Sequence, residues 1–376
     1  VARFYGARHP KDVEKTVHSA AIISAVAGVV LLLIGLLGSP AMLRLLNTKE
    51  DLLPGAILYL RVYFLGMPAL ALYNYGNAVF SAIGETKKPL AYLSVAGVVN
   101  ILLNLFFVII CKLYVAGVAL ASTIAQCLSA GLILHALTKV EDCYALDLHS
   151  IRLDLGTTKR ILMLGVPAGL QNAIFAIANL FIQAGVNSFD SLMVKGNSAA
   201  ANADALVYDV MAAIYTACSS FMSQNYGAGR LDRIQKSLKL SLLIGVSISI
   251  VFGGALLLFG WPLFGLFTSD DTVLAMSMQL LWYFAPFYWM FVPIEIISGA
   301  LRGMGDTLIP TIITATGICV FRVAWIYTVV PLHNSMFTVS LSYPISWVLT
   351  AIAFAIYYMI ARKKLIANAP KPRTAE

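Results

Sequence analysis

Apolar and polar positions divide this 376-residue chain into ten apolar stretches of 20 to 29 residues joined by short polar connections. The stretches run 19–38, 52–80, 90–111, 114–137, 161–189, 199–223, 240–264, 273–301, 308–331 and 337–361. A hydrocarbon core takes about 20 helical residues to cross, so each stretch predicts a transmembrane helix. Barrel strands would show alternating polarity over about 10 residues instead. The expectation is an all-α integral membrane protein with ten transmembrane helices.

Composition points the same way. The chain is 60% hydrophobic and 12% charged, whereas a soluble domain is roughly 45–50% apolar and about 25% charged. That excludes a soluble enzyme and a nucleic-acid binder. The net charge of +8 matters for its distribution. Ten spans put both ends on one side, and that side carries 20 Lys and Arg against four on the other, namely Arg44, Lys49, Lys112 and Lys195. The bias predicts cytoplasmic termini in the inner (cell) membrane. The five cysteines are odd in number, far apart and without a CxxC pair, so they predict packing residues rather than disulfides or a zinc site.

An internal repeat organises the spans. Tyr5-Gly6-Ala7 recurs as Tyr226-Gly227-Ala228, and Gly84-Glu85-Thr86 with Pro89 recurs as Gly305-Asp306-Thr307 with Pro310, both at an offset of 221. Val13 with Ile234 and Lys15 with Lys236 keep the same register. Two lobes of parallel repeats follow. Residues 1–140 form a first lobe (spans 3–6 of a twelve-span plan), 141–160 a cytoplasmic linker, 161–361 a second lobe (spans 7–12) and 362–376 a cytoplasmic tail. Residues 161–223 have no first-lobe partner, so a six-helix repeat implies two helices before Val1. Thr86 and Thr307 are expected to cap the helices that follow them.

Polar groups inside spans need a reason to be there. Arg61, near the end of its span, is read as snorkelling to the interface. Asn172, Asn179, Gln183, Asn187 and Asp190 fall within an arc of about 80° on one helix, a stripe suited to lining a water-filled vestibule or to bonding helices together. On the next span Asp204 shares a face with Tyr208, Met211 and Tyr215. Asp209 lies about 140° away, so the two acids are not expected to face one cavity directly. Asp209 and Arg322 fall at matching depths, about 22 and 21 Å from the cytoplasmic side. Glu295, about 10 Å from it, reaches Arg322 only through a kink at Pro286 or Pro293. Tyr288, seven residues before Glu295, is expected on the same helix face, where ring and acid suit an organic cation.

The strings carrying these residues resemble the multidrug and toxic compound extrusion transporters, in particular the bacterial branch related to the DNA-damage-inducible type. They are VARFYGAR (1–8), LYLRVYFLGMP (58–68), GETKKPL (84–90), VNILLNLFFV (99–108), VAGVALAS (115–122), GVPAGLQ (165–171), SQNYGAG (223–229), GALRGMGDT (299–307) and LSYPISW (341–347). The resemblance spans the chain. It implies a two-lobed antiporter that exports cationic, amphipathic compounds in exchange for H⁺ or Na⁺, with no catalytic residue, metal site or cofactor. The family's second-lobe acids map onto Glu295 and onto Asp204 or Asp209, and these are the expected coupling residues. Asn172, Asn179, Gln183, Tyr208, Tyr288 and Arg322 are the expected substrate cavity. The partners expected are a small organic cation and the lipid bilayer, with the protein acting as a monomer and binding no nucleic acid. A lipid-linked saccharide flippase of the same superfamily and a non-transporting scaffold are the alternatives.

Overall fold

The computed structural model describes residues 1–45, 48–187, 189–266, 269–333, 335–367 and 369. The end of the tail expected at 362–376 lies outside the described residues. Among the described residues the regular structure is entirely helical: α1 (Ala2–Gly6), α2 (Pro10–Leu45), α3 (Leu53–Phe64), α4 (Met67–Ile83), α5 (Lys87–Leu105), α6 (Tyr114–Thr138), α7 (Leu155–Val186), α8 (Ser191–Gly227), α9 (Leu231–Phe264), α10 (Asp271–Phe284), α11 (Val292–Gly303), α12 (Leu308–Thr314), α13 (Phe321–Thr328) and α14 (Met336–Ala367). Eight helices or continuous helical stretches are long and apolar enough to cross a membrane. Two bent pairs, α3 with α4 (43°) and α10 with α11 (41°), bring the number to ten if each is one span.

The chain divides into two compact units, residues Val1–Ile161 and Leu162–Glu376. In the first, α4 packs on α2 and α6 around Val13, Val17, Val79, Phe80, Ile133 and Leu137. In the second, α11 is the central element, packed against α8, α9 and α14, and Ile294, Ile296, Ala300 and Leu301 are almost fully buried. Large apolar side chains such as Leu37, Ile110, Leu258 and Ile360 are left exposed, the surface expected of helices whose solvent is lipid.

The repeat is written into the backbone of each unit. Arg8 and Gly229 both have positive φ, as do Gly84 and Gly305, and each pair is 221 residues apart. The hydrogen bonds recur in register: His9 N–H to Phe4 O (3.0 Å) and Arg230 N–H to Asn225 O (2.9 Å), then Glu85 N–H to Phe80 O (2.9 Å) and Asp306 N–H to Leu301 O (3.0 Å). A six-to-one bond past a left-handed residue is the usual way to close a helix C-terminus. Glycine therefore suits positions 84, 229 and 305, and Arg8 bears the strain of a side chain there.

The threonines of the recurring motif do not cap. Thr86 and Thr307 precede α5 and α12, but neither side chain bonds the helix amides. Thr307 Oγ1 instead faces Met163 O at 3.5 Å, and Thr311 Oγ1 faces Pro167 O at 3.4 Å. Pro167 lies inside α7 and has no amide to offer residue 163. The threonine hydroxyl thus supplies a donor to a carbonyl that a proline has orphaned. Arg61 has the same task in the first unit. Its Nε donates to Leu36 O at 3.2 Å, four residues before Pro40 within α2. Arg61 is exposed, yet its Nε–H is committed to a helix carbonyl rather than to the membrane interface.

Candidate functional site

The second unit carries a half-open cavity of about 580 Å³. Helix α7 contributes Asn172, Asn179 and Gln183, three of the amides in the predicted stripe, and α8 contributes Asn197, Asp204, Tyr208 and Asp209. Aromatic groups come from the 3₁₀ segment Ala285–Met290 and its exit, as Tyr288 and Phe291, and from α14, as Tyr343 and Trp347. Arg322 of α13 completes the wall. The remaining members of the stripe have local partners. Asn187 Oδ1 accepts from Gln183 Nε2 at 2.8 Å, and Asp190 Oδ1 accepts from Met193 N–H at 2.8 Å as the N-cap of α8.

Three expectations change here. Asp204 and Asp209 line the same cavity despite their angular separation, because the opening takes in an arc of about 140° of α8, from Asp204 to Asp209, at about 100° per residue. Among the described residues Arg322 makes no ion pair with Asp209 or Glu295. Its Nε donates to Ser346 Oγ at 3.0 Å, its guanidinium lies 4.0 Å from the centre of the Tyr343 ring and 5.7 Å from that of Trp347, and the carboxylate that senses its charge is Asp204. Matching depth along two helices did not fix which faces meet.

Tyr288 and Glu295 are also separated. Helix α10 ends at Phe284, the 3₁₀ segment follows, and α11 restarts at Val292 with Pro293 in its first turn. The kink falls where Pro286 and Pro293 placed it. However, three residues per turn through the 3₁₀ segment break the 100° register that put Tyr288 and Glu295 on one face. Tyr288 faces Asp204. Glu295 is absent from the cavity wall; it neighbours Tyr208 and the cation Arg302. Arg302 is held by Gln171 Oε1 and, at 3.1 Å, by Thr311 Oγ1.

The wall contains groups that helical periodicity alone did not find. Tyr343 and Trp347 are one helical turn apart in α14, and with Tyr288 and Phe291 they make a continuous cluster of rings: Tyr288 to Trp347 6.1 Å, Phe291 to Trp347 5.7 Å, Tyr343 to Trp347 6.0 Å between centroids. Their spacing in LSYPISW was visible, but nothing in the sequence distinguished them from packing aromatics. Tyr288 Oη is buried and has no hydrogen bond of ordinary geometry, with Asp204 the carboxylate beside it. Of the cysteines, Cys218 and Cys319 are buried as packing residues, whereas Cys111 and Cys127 are exposed; all five thiols are free.

Chemically this is a half-open, aromatic-walled compartment among helices of membrane-spanning length, with acid, base and amides set in a largely apolar lining. The class it defines is a multi-pass helical membrane protein with a compartment for a small solute. A family model described as MatE matches residues 1–106 and 167–328, most of the chain. The chain belongs to the MatE family, whose members are transporters rather than enzymes. "Probable multidrug resistance protein YpnP" of Bacillus subtilis (strain 168) is 28% identical over 331 residues, covering 87% of this chain and 73% of that protein. The "FAD transporter" of Shewanella oneidensis is 25% identical over 281 residues, 73% of this chain and 62% of that one. The fold is shared with a solved structure described as the outward-facing conformation of a multidrug resistance MATE family transporter, at a TM-score of 0.90 and 20% identity over 98% of this chain and 82% of that chain.

Proposed function

We propose that the protein is a secondary active antiporter that exports amphipathic organic compounds, principally cations, in exchange for H⁺ or Na⁺ by alternating access. The observation that carries this reading is the placement of Asp204 and Asp209 on the same wall as the ring cluster and the α7 amides. A carboxylate among aromatic faces attracts an amphipathic cation through charge and ring quadrupole together, and the same carboxylate takes the coupling ion. One acid serving both ligands in turn makes their binding mutually exclusive, and by linkage each weakens the other by the same factor. Glu295, near Arg302 and outside the cavity wall, is assigned to the inner end of the ion's path. The relatives named for multidrug resistance and for FAD transport fit a small organic cargo. We place the protein in the cell membrane with both ends cytoplasmic, working as a monomer.

A flippase reading is weaker because the wall carries two acids and one guanidinium, a poor match to a lipid diphosphate. The test is ethidium export from sealed vesicles under an imposed H⁺ or Na⁺ gradient. Asp204→Asn and Asp209→Asn are expected to cut gradient-driven export within the roughly 5- to 150-fold range of a coupling free energy, and Glu295→Gln to slow it. Undiminished export by all three variants would reject the assignment.

A further inference from the structure

We propose that the cavity of the second unit holds an anionic group of its cargo on the free edge of Arg322, so that the preferred cargo is an amphipathic zwitterion with a carboxylate and an amine. This rests on the transport reading above and narrows its substrate class.

The argument begins with what Arg322 lacks. The residue is 6% exposed, and a guanidinium removed from water ordinarily has a carboxylate partner. Among the described residues Arg322 makes no ion pair. Its one hydrogen bond runs from Nε to Ser346 Oγ at 3.0 Å. Ser346 spends its proton on Tyr343 O at 2.8 Å, which leaves its oxygen to accept and fixes the orientation of the guanidinium. One face of the group is covered by the Tyr343 ring at 4.0 Å. What remains is the edge bearing Nη1 and Nη2. These nitrogens have no partner, and they are not sealed off as Arg302 Nε is; Arg322 is part of the cavity wall.

That edge is a planar fork of donors, the geometry that accepts two oxygens of a carboxylate side by side. Asp204 and Asp209 are the other charged groups on the wall. Asp204 senses the charge of Arg322 but closes no ion pair with it, so the pair is left open for something to enter. The Tyr288 hydroxyl stands against Asp204, and the rings of Phe291 and Trp347 lie along the same lining. A molecule that places an amine at Asp204 and a carboxylate at Arg322, with its apolar body along the rings of Phe291 and Trp347, answers both charges at once. A simple cation would leave the guanidinium buried and unanswered.

The full chain in lipid nanodiscs, titrated with ε-dansyl-lysine and with its methyl ester at a pH low enough to keep the ester's more acidic amine protonated, separates these cases, because under that condition the ester retains the ammonium and lacks the carboxylate charge. The acid is expected to bind at least about tenfold more tightly than the ester, as befits charge-assisted bonds to a buried guanidinium. Arg322→Gln is expected to abolish that preference by weakening the acid alone, and Arg322→Lys to restore part of it. Equal or tighter binding of the ester by the unsubstituted protein, absence of binding by both probes, or an equal loss for both in Arg322→Gln overturns the proposal. The first comparison needs no variant, so a variant that fails to fold does not blunt it. An acid that binds by this rule yet is never moved by an ion gradient rejects export and leaves the anion site standing. An ester that is exported without any acid preference does the reverse.

Discussion

Tyr288 isolates the chemistry of the cavity at the scale of one atom. Its hydroxyl is buried against the Asp204 carboxylate, outside ordinary hydrogen-bond geometry in the empty protein. A bond so poorly aligned contributes at most about 1 kcal/mol net. Tyr288→Phe is therefore expected to change the stability of the empty protein by no more than about 1 kcal/mol, while weakening cargo binding several-fold. Thermal unfolding in detergent and a binding titration on the same preparation check both halves. A larger loss of stability would mean that the hydroxyl is already fully bonded to Asp204 and is not available to cargo. Asp204, Asp209, Arg322 and the α7 amides of this wall, with Tyr208 and Tyr288, were legible in the sequence because hydrophilic atoms inside an apolar run are conspicuous. The rings of Tyr343 and Trp347 were not, since an aromatic residue in such a run is unremarkable until its neighbours are known. Glu295 was conspicuous as well, but its direction depended on a 3₁₀ segment that helical arithmetic does not anticipate.

Prolines inside helices decide which polar side chains are structural at the scale of the element. Pro40 in α2 leaves Leu36 O without an amide, and Arg61 supplies the donor. Arg61→Leu is expected to destabilise the protein by about 1 kcal/mol. In a Pro40→Ala background, where the helix provides its own amide to Leu36, the same change should cost almost nothing. Thermal unfolding of the four proteins in this cycle measures the coupling, and additive effects would exclude it. The segment before α7 is held differently. Asp147 N–H donates to His18 Nε2 at 3.3 Å and Asp154 N–H to Ser19 Oγ at 3.1 Å. The Ser150 hydroxyl and His149 amide hold the Asp147 carboxyl below its ordinary value of 3.8, and Thr157 does the same for Asp154. A depressed carboxylate stabilises the fold above its ordinary value and loses that contribution as the pH falls through the lowered one. Hydrogen exchange of residues 147–158, corrected for intrinsic rates, should thus be flat from pH 7 to pH 5 and lose protection below about pH 4. Protection that fell already at pH 6 would reject the assignment to these two carboxylates. The spans and the 221-residue register were readable because apolar length and motif recurrence are properties of the string. The two bends and the tasks of Arg61 and Thr307 were not, because a carbonyl orphaned by proline finds its donor on another helix.

The distribution of charge along the chain makes a claim about the whole molecule that cavity chemistry does not. Twenty Lys and Arg fall in alternate connections and at the ends, against four in the others. A difference of that size in short loops orients a helical membrane protein. Each unit can be tested against the bilayer by itself. In the first, Lys88 just after Gly84 belongs to the basic set and Lys112 to the sparse set. In the second, Arg233 near the start of α9 and Lys195 near the start of α8 play those parts. The experiment needs a background in which all five native cysteines are replaced, because Cys111 is exposed at the end of its span and would react itself. Single cysteines at 88 and 233 should then resist a membrane-impermeant maleimide added to intact cells and react once the membrane is opened, whereas cysteines at 112 and 195 should react in intact cells. If 88 and 112 exchanged behaviour while 233 and 195 did not, the repeats would have opposite orientations. The parallel plan would fail, and an inverted repeat, with its axis in the membrane plane, would take its place.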